Sequence, residues 1–588
     1  MAKTLQPVDA AIVGVGAAGT IIAKALADAG LKVVGLERGE PRNTVPDFQA
    51  PEIHDELRYA VRNGLMQNAQ TEAVTCRNNT SQTALPIRRW AAFLPGTGVG
   101  GSAVHWNGNI WRFQEADFEL KTAMTERYGA DFADADLTIQ DWGVTYAELE
   151  PCYDRFEYLY GACGKAGNIK GAIQPGGNPF EAPRSREYPN PPMKEIHAGA
   201  LFRKGAESLG YKPFPLPSCT MSRRYTNPLG VTMEACVMCG FCERFGCEHY
   251  AKASPQTTLL PVLLTNKNFE LRTNAQVLRV NLDSTKKKAT GVTYVNGAGQ
   301  EMVQPADLVI IGAFAFNNVR LMLLSGIGQP YDPATGKGTV GRNYAYQTVS
   351  GGHVFYDAST RINPFMASGS SMTVIDEYAG DNFDHGPHGF IGGAYLYSNM
   401  TNGRPIGFHP VPPGTPRWGQ GFKDAMLAHY NHTVKIGAHG SSMPTRNNYL
   451  DLDPTYKDAW GLPLLRMTFD FPKNDLKMSK FVTDRLGEIG NAMGGKRVAV
   501  APRKGPFETT AYQTTHNTGG AIMGTDPGTS AVNRYLQSWD VPNVFVVGAS
   551  AFPHNASYNP TGTVGALSYW AADALVSRYL KNPGPLAT

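Results

Sequence analysis

The chain has 588 residues, 42% of them hydrophobic, so it exceeds the size of one ordinary domain and can bury a large core. Its formal charge of +4 is spread thinly and its longest basic run is residues 286–288, which argues against nucleic-acid binding. No run of ~18 uninterrupted apolar residues occurs. We therefore expect neither a membrane-spanning segment nor a signal peptide in the chain.

The first predicted elements are a strand, a tight turn and a helix. An apolar run at Val8–Val13 predicts the strand, and an amphipathic stretch at 20–29 predicts the helix. Between them stand the glycines Gly14, Gly16 and Gly19. A second apolar run, 31–36, ends at Glu37 and Arg38. The whole predicts a βαβ unit that binds a dinucleotide, with Glu37 placed to receive the ribose.

Each glycine of this turn has a separate purpose in such a unit. The glycines permit the tight turn, the close approach of the pyrophosphate and close packing of the helix, whose N-terminus supplies positive potential. The alternative is a glycine turn that only packs. The motif by itself does not separate NAD from FAD.

A second glycine-rich segment, 96–102, contains Gly98, Gly101 and Ser102 and would let the backbone approach a bound cofactor closely. Residues 160–230 are rich in proline, glycine and polar side chains. They predict a long irregular excursion, which is usually functional or binds a partner.

The remaining α/β pattern is discontinuous. Apolar runs within 270–312 and at 543–549 predict further strands, and residues 565–579 predict a helix. The fold class is therefore α/β, with a Rossmann-like nucleotide domain interrupted by a second, α+β domain with a mostly antiparallel sheet. The predicted boundaries are 6–345 with 511–588 for the first domain, 346–510 for the substrate domain, and 190–260 for a cysteine-bearing excursion within the first.

Four of the eight cysteines are spaced C-x2-C-x2-C-x4-C, at Cys236, Cys239, Cys242 and Cys247. Thiolates this close converge on one metal centre, and consecutive C-x2-C steps resemble ferredoxin ligation, which predicts an iron–sulfur cluster. A structural zinc site and two disulfides are the alternatives. The other cysteines are either two disulfides or buried thiols, and the sequence does not decide between these for Cys76, Cys152, Cys163 and Cys219.

Two candidate catalytic residues lie near the C-terminus. His516 precedes Gly519, and Asn559 precedes Pro560. A histidine near neutral pKa can remove a hydroxyl proton, and a neutral amide can hold the oxygen. Taken alone, a histidine is more often a satisfied polar core residue, and Asn-Pro is usually a turn.

The motifs occur in the order typical of the glucose–methanol–choline oxidoreductase family, which the chain resembles over nearly its whole length. They are the first glycine turn with Glu37, residues 98–102, residues 446–454, His516 with Gly519, and 559–561. Within that family, the cysteine run and residues 102–106 look like the large subunits of bacterial membrane-bound dehydrogenases for gluconate, 2-ketogluconate, fructose and glucose. The segments 239–243 and 252–255 look nearest to the gluconate branch.

The resemblance implies FAD as the cofactor and a role for each residue. His516 would take the hydroxyl proton while hydride leaves to the flavin, and Asn559 would orient the same oxygen. His105 matches a histidine that some relatives link covalently to the flavin; a noncovalent packing histidine is the alternative. The residues expected around FAD also include Arg38, Gly548, Ala549 and Thr561. Relatives are described as holding a three-iron cluster, with a cysteine spacing that differs from this one, and on that resemblance [3Fe-4S] is favoured over [4Fe-4S].

The resemblance also implies a reaction and partners. The expected activity is oxidation of D-gluconate at C2, with 2-ketogluconate, sorbitol, fructose or glucose as alternative substrates. Electrons would pass from FAD through the cluster to a multihaem cytochrome c subunit. A small signal-bearing subunit would carry the folded chain to the periplasmic face of the inner membrane.

Two other functions compete with this one. An oxygen-using oxidase of the same family would not need the internal relay that the cysteine run provides. A non-catalytic electron-transfer flavoprotein would not need His516 and Asn559 near the flavin.

Overall fold

The computed structural model describes residues 2–49, 63–88, 92–399, 408–510 and 512–587. Across these ranges the chain forms two large sheets with helices packed on them, and no helix is both long enough and apolar enough to cross a membrane.

The first sheet is built on parallel strands. In spatial order these are Phe269–Arg272, Val33–Leu36, Val8–Val13, Glu301–Ile311 and Val544–Val546. The strand Glu301–Ile311 belongs to two pairings, because its residues 301–305 run antiparallel to Ala289–Val295, which pairs with Gln276–Leu282. The inner strands are buried on both faces, as parallel strands covered by helices must be.

Three helices pack together beside this sheet. The helix Ala17–Asp28 begins directly after Gly16 and contacts Thr561–Ala574, which contacts Tyr146–Tyr160. The packing is close because small residues line Thr561–Ala574: a Cβ on Gly565 would lie 2.3 Å from the ring of Phe156. The start of the helix Thr561–Ala574 is thereby fixed against the first sheet.

The second sheet is antiparallel. In spatial order its strands are Arg497–Ala501, Thr348–Phe355, Thr433–Gly440, Ala394–Asn399, Thr373–Ile375 and Phe214–Pro215. The helices Lys473–Ala492 and His197–Ser208 pack on this sheet and share a core with it, which leaves the opposite face for a ligand.

Smaller elements complete the described chain. One mixed sheet contains Tyr449–Lys457, Pro463–Thr468, Thr75–Arg77 and Leu85–Pro86. Two short hairpins pair Tyr225–Thr226 with Thr232–Met233 and Asn168–Ile169 with Ala172–Ile173. The remaining α-helices are Glu115–Phe118, Leu120–Tyr128, Pro255–Thr258, Leu260–Leu263, Ala315–Ser325 and Gln420–His429. The strand Lys3–Thr4 pairs with Glu301–Ile311, and the turn Leu575–Tyr579 is π-helical.

The α/β class and the second, mostly antiparallel sheet are as predicted, whereas two details differ. The C-terminal helix begins at Thr561 rather than 565, because Pro560, with φ −75° and ψ −13°, already has helical backbone angles and leads directly into the first turn. The excursion at 160–230 is not wholly irregular: it contains His197–Ser208 and Phe214–Pro215, and both join the second sheet rather than the first. The apolar face of His197–Ser208 explains this position. The domain boundaries themselves stay a prediction.

A buried ion network holds the helix Tyr146–Tyr160 in place. Glu157 accepts from Arg112 at 2.8 Å and also pairs with Arg184, and the three side chains are at most 2% exposed. Arg184 reaches Glu181 at 2.9 Å. Glu157 lies on this helix and Arg112 lies outside it, so the network joins the helix to the neighbouring chain.

Glu157→Gln should lower the free energy of unfolding by about 2 kcal/mol, because Arg112 and Arg184 each lose a buried charged hydrogen bond while keeping one carboxylate partner, Glu150 and Glu181. The midpoint of urea unfolding measures this, and Glu126→Gln, at an exposed position, is the control. Equal midpoints for both variants would show that the network does not stabilise the fold.

Candidate active site

One cavity of about 400 Å³ lies between the two sheets. It opens at the carboxyl ends of the parallel strands, at Val13, Leu36 and Gly312, which is where ligands bind in such sheets. Its opposite wall is the free face of the antiparallel sheet. The predicted site residues that line it are Gly14, Gly16, Glu37, Arg38, Gly101, Ser102, His105, His516, Gly548, Ala549, Asn559 and Thr561.

The first glycine turn has a different steric requirement at each glycine. Gly14 has φ +94°, and a Cβ there would lie 2.6 Å from the carbonyl oxygen of Gly312. A Cβ on Gly19 would lie 2.1 Å from the oxygen of Gly14, so Gly19 serves helix packing and does not line the cavity. A Cβ on Gly16 would lie 3.8 Å from its nearest protein atom, the carbonyl oxygen of Gly100, so there is free space beside Gly16. Space at Gly16 beside a helix N-terminus suits a pyrophosphate.

The Glu37 carboxylate is buried at the end of the second parallel strand. Its two oxygens accept from the amides of Val15 and Gly39, each at 3.0 Å. Burial raises the pKa of Glu37, and the two backbone donors oppose that rise. The carboxylate is thus held rigidly where a ribose would lie.

The second glycine segment runs beside the first turn. Gly100 forms a parallel bridge with Gly16, and its amide donates to Val15 at 2.8 Å. The hydroxyl of Ser102 accepts from the amide of Gly96 at 2.9 Å, which closes the segment. Gly98, with φ +90°, packs against Glu40 and does not line the cavity.

His516 is oriented by a glutamine that the sequence did not indicate. The Nε2 of Gln347 donates to the carbonyls of Ala556 and Tyr558, each at 3.1 Å, so its Oε1 faces Nδ1 of His516 and accepts from it. A proton on Nδ1 leaves Nε2 as the unprotonated nitrogen. Nε2 lies 3.4 Å from Nδ2 of Asn559.

Asn559 is held from its other side by a tyrosine. The hydroxyl of Tyr395 donates to Oδ1 of Asn559 at 2.9 Å. This bond fixes which end of the amide is the donor, and it points Nδ2 at His516. The structure thus brings the two predicted catalytic residues together.

A second histidine, His439, also lies in this part of the cavity. Its ring centroid is 5.2 Å from that of His516, and Nδ1 faces the carbonyl of Ser557 at 3.4 Å. Burial lowers the pKa of His439 to about 4. Burial, and secondly the neighbouring His439, lowers the pKa of His516 well below its ordinary value. Both rings are therefore neutral at neutral pH.

The four closely spaced cysteines line a separate small cavity with Phe241 and Lys252. Burial raises the pKa of the Cys236 thiol to about 12 and that of Cys242 further. Within the described ranges, no three His, Cys, Asp or Glu side chains are arranged as a metal site. The donor set suits a cluster, but a cluster would have to draw the thiolates closer together.

The cysteine loop packs against the segment 105–107, which lines the large cavity. The ammonium of Lys252, buried at 2% exposure, donates to the carbonyls of Trp106 at 2.7 Å and Cys242 at 2.8 Å. The amide of Arg244 donates to the carbonyl of His105 at 2.7 Å. These bonds couple the position of the loop to that of the cavity wall.

His105 is neutral, because burial, and secondly the charge of Lys252, lowers its pKa to about 3. Its Nε2 is enclosed by protein and has no hydrogen-bond partner among the described residues. The covalent link from His105 to the flavin stays a prediction.

The cysteines form no disulfide: all eight are free thiols in the described chain. Of the two alternatives for the four cysteines outside the loop, the structure has thiols, with Cys152, Cys163 and Cys219 buried.

The glycine turn with Glu37 and the neutral, oriented His516 line the same cavity. A nucleotide-dependent oxidoreductase needs this arrangement. Two family models described as GMC oxidoreductase match the chain, at residues 142–349 and 444–568. The chain belongs to the GMC oxidoreductase family. It is an FAD-dependent enzyme of the alcohol dehydrogenase type, and the space at Gly16 and the held carboxylate of Glu37 fit that cofactor.

Among curated proteins, the gluconate 2-dehydrogenase flavoprotein of Pantoea cypripedii is 51% identical over 100% of this chain and 96% of its own length. The fructose dehydrogenase large subunit of Gluconobacter japonicus is 26% identical over 98% of this chain and 99% of its own length. Among solved structures, pyridoxine 4-oxidase from Mesorbium loti shares the fold with a TM-score of 0.60 and 17% identity, covering 98% of this chain and 100% of its own.

Gly16→Ala and Gly19→Ala should both weaken FAD binding ~10-fold or more, since an overlapping methyl costs ~1–3 kcal/mol. Only Gly19→Ala should also lower the melting temperature of the apoprotein. A Cβ at position 19 would lie 2.1 Å from the carbonyl oxygen of Gly14, whereas a Cβ at position 16 would lie 3.8 Å from its nearest protein atom. FAD titration and thermal melts measure the two effects. Gly584→Ala, with no atom within 4 Å of its Cβ, is the control. Wild-type FAD affinity in Gly16→Ala would mean that Gly16 is not beside the pyrophosphate.

Proposed function

We propose that the chain oxidises a sugar acid, D-gluconate to 2-keto-D-gluconate, and passes the electrons to an acceptor other than oxygen. The observation that carries this proposal is the 51% identity to a gluconate 2-dehydrogenase flavoprotein over the full chain. The fructose dehydrogenase large subunit among the relatives supports a sugar-type substrate more generally.

His516 is the proton acceptor in this proposal. Its Nε2 is unprotonated because Nδ1 donates to Gln347, and the depressed pKa keeps the ring neutral. A substrate hydroxyl between Nε2 and the Asn559 amide would donate to the first and accept from the second. The contact of 3.4 Å that it replaces is long for a hydrogen bond, so little is lost.

Removal of that proton strengthens the negative charge on the substrate oxygen, and Asn559 Nδ2 stabilises it. Bound FAD supplies the two-electron acceptor for the hydride that leaves the same carbon. The carbon–hydrogen bond breaks as the carbonyl forms, so the alcohol loses one proton to His516 and one hydride.

We further propose that the cysteine loop holds an iron–sulfur cluster, with Cys236, Cys239, Cys242 and Cys247 as candidate ligands and [3Fe-4S] favoured over [4Fe-4S]. Support comes from the spacing, from the shared cavity of the four side chains, and from the bonds that tie the loop to the wall of the large cavity. A cluster there would take electrons singly from the reduced cofactor.

The proposed partners follow from this relay. A multihaem cytochrome c subunit would accept the electrons, and a small signal-bearing subunit would bring the chain to the periplasmic face of the bacterial inner membrane. Membrane association would come through these partners.

His516→Ala should lower kcat with D-gluconate and an artificial acceptor by ~10²–10⁴-fold with FAD content unchanged. In the wild type, the acid limb due to His516 should lie below pH ~6.5, because the lowered pKa keeps the base unprotonated as the pH falls through that value. Steady-state rates across pH measure both. His197→Ala, on an exposed helical position, is the control.

Two results would contradict this reading. An unchanged kcat in His516→Ala would remove that residue from the chemistry. Peroxide formed in stoichiometric amounts by the wild type would make the enzyme an oxidase.

Protein purified without oxygen should contain iron and acid-labile sulfide. Each loop cysteine is replaced by serine in turn. If the cluster has four irons, all four variants should lose iron and sulfide; if it has three irons, three of the four variants should lose them. Cys76→Ser should retain both. Elemental analysis and electron paramagnetic resonance measure the outcome, and stoichiometric zinc in place of iron would contradict the relay.

A further inference from the structure

The cavity has a polar wall that leads away from His516. In the strand Thr433–Gly440, residues 435, 437 and 439 share one face, because strand side chains alternate. Across from them on the strand Ala394–Asn399, Tyr395 pairs with His439, Tyr397 with Gly437 and Asn399 with Lys435. The order of side chains along the wall is therefore His439, Tyr397, Lys435.

Lys435 has an unusual position for a lysine. It lies on an inner strand of the sheet, between Thr348–Phe355 and Ala394–Asn399. All the remaining residues of its strand are buried. Lys435 alone is exposed, and its side chain lines the cavity. A lysine that only served solubility would be expected on an outer surface.

The other basic residues of the cavity are already paired. Arg38 lies 3.3 Å from Glu72, and Arg320 lies 2.6 Å from Asp458. Among the residues that the structure describes, Lys435 forms no ion pair, although its charge and that of Glu243 both act on the hydroxyl of Tyr397. The nearby acidic lining residue, Glu243, lies 3.6 Å from Arg244, which offsets its charge.

We infer that Lys435 binds the carboxylate of the substrate and makes the enzyme selective for sugar acids over neutral sugars and polyols. This inference rests on the proposed function and names the residue that sets its substrate class. A free ammonium in a concave site gives a carboxylate a charge-assisted hydrogen bond, which a neutral hydroxymethyl group cannot match.

The spacing along the strand suits this task. Residues 435 and 439 are four positions apart, so ~13 Å separates their Cα atoms. The flexible four-carbon stem of lysine shortens that distance for the ammonium. In D-gluconate the carboxylate is bonded to C2, the carbon that is oxidised, so the Lys435 ammonium has to extend back along the wall, past Tyr397, towards His439 and His516.

The test compares substrates that differ only at the acid group. D-Gluconate carries the carboxylate, D-gluconamide replaces it by a neutral amide of similar size, and sorbitol replaces it by a hydroxymethyl group. Rates are measured on FAD-loaded enzyme with an artificial acceptor. The variants are Lys435→Met, which removes the charge, and Lys435→Arg, which keeps it; Lys480→Met, in an exposed ion pair on the outer helix, is the control.

Lys435→Met should lower kcat/KM for gluconate by ~10- to 100-fold, mostly through KM, while kcat/KM for gluconamide and sorbitol stays within about threefold of wild type. Lys435→Arg should retain most of the preference for gluconate. Equal losses on all three substrates would assign Lys435 a structural role and overturn the inference, as would an unchanged preference for gluconate in Lys435→Met. A wild type that oxidises none of the sugar acids would instead overturn the proposed function.

Discussion

The hydrogen bond between Gln347 and His516 is the constraint on which the rest of the site depends. Gln347 stands directly before a strand of the second sheet, His516 lies in a loop, and Ala556 and Tyr558 precede the helix that begins at Thr561. The Gln347 amide joins all three segments, with both amide hydrogens on the carbonyls of Ala556 and Tyr558 and its oxygen on Nδ1 of His516. It sets the tautomer of the histidine and the approach of Asn559 together.

Burial sets the protonation state of the two histidines in the site. It keeps His516 and His439 neutral, so His516 is able to accept a proton in the proposed reaction. The unpaired cation on the wall, Lys435, lies four strand positions from His439 rather than next to it. Its four-carbon stem lets the ammonium reach towards the two histidines, where the carboxylate next to the reacting carbon of a sugar acid would lie. The cysteine loop, tied to the wall by Lys252, lies on the side of the cavity that carries Trp106.

Much of the nucleotide end could be predicted from sequence because its signals are local. The strand Val8–Val13, the three glycines and Glu37 lie within a short stretch, and each has a steric or charge requirement that the residue type reveals. His516 and Asn559 needed the family resemblance, since a lone histidine or an Asn-Pro pair has no distinctive pattern. The position of His197–Ser208 on the second sheet could not be read from composition, because proline and glycine around it suggested an irregular segment.

Residues supplied by the antiparallel sheet were not foreseen. Tyr395 and His439 come from two neighbouring strands and Gln347 stands directly before a third, so they meet only through the register of the sheet. The alternation of Lys435, Gly437 and His439 on a strand otherwise apolar was the one available signal for the wall. The cysteine spacing predicted one metal centre; the four side chains line one small cavity, no metal site is formed among the described residues, and the cluster stays a prediction.

The rate of anaerobic flavin reduction by D-gluconate in the wild type and in Gln347→Leu, matched for FAD content, tests the account most directly. The wild type should lose its oxidised flavin absorbance on mixing with gluconate. The variant should be reduced at least ~100-fold more slowly, because its histidine no longer presents an unprotonated Nε2 to the substrate. Equal rates in the two proteins, or no reduction of the wild-type flavin by any sugar acid, would contradict it.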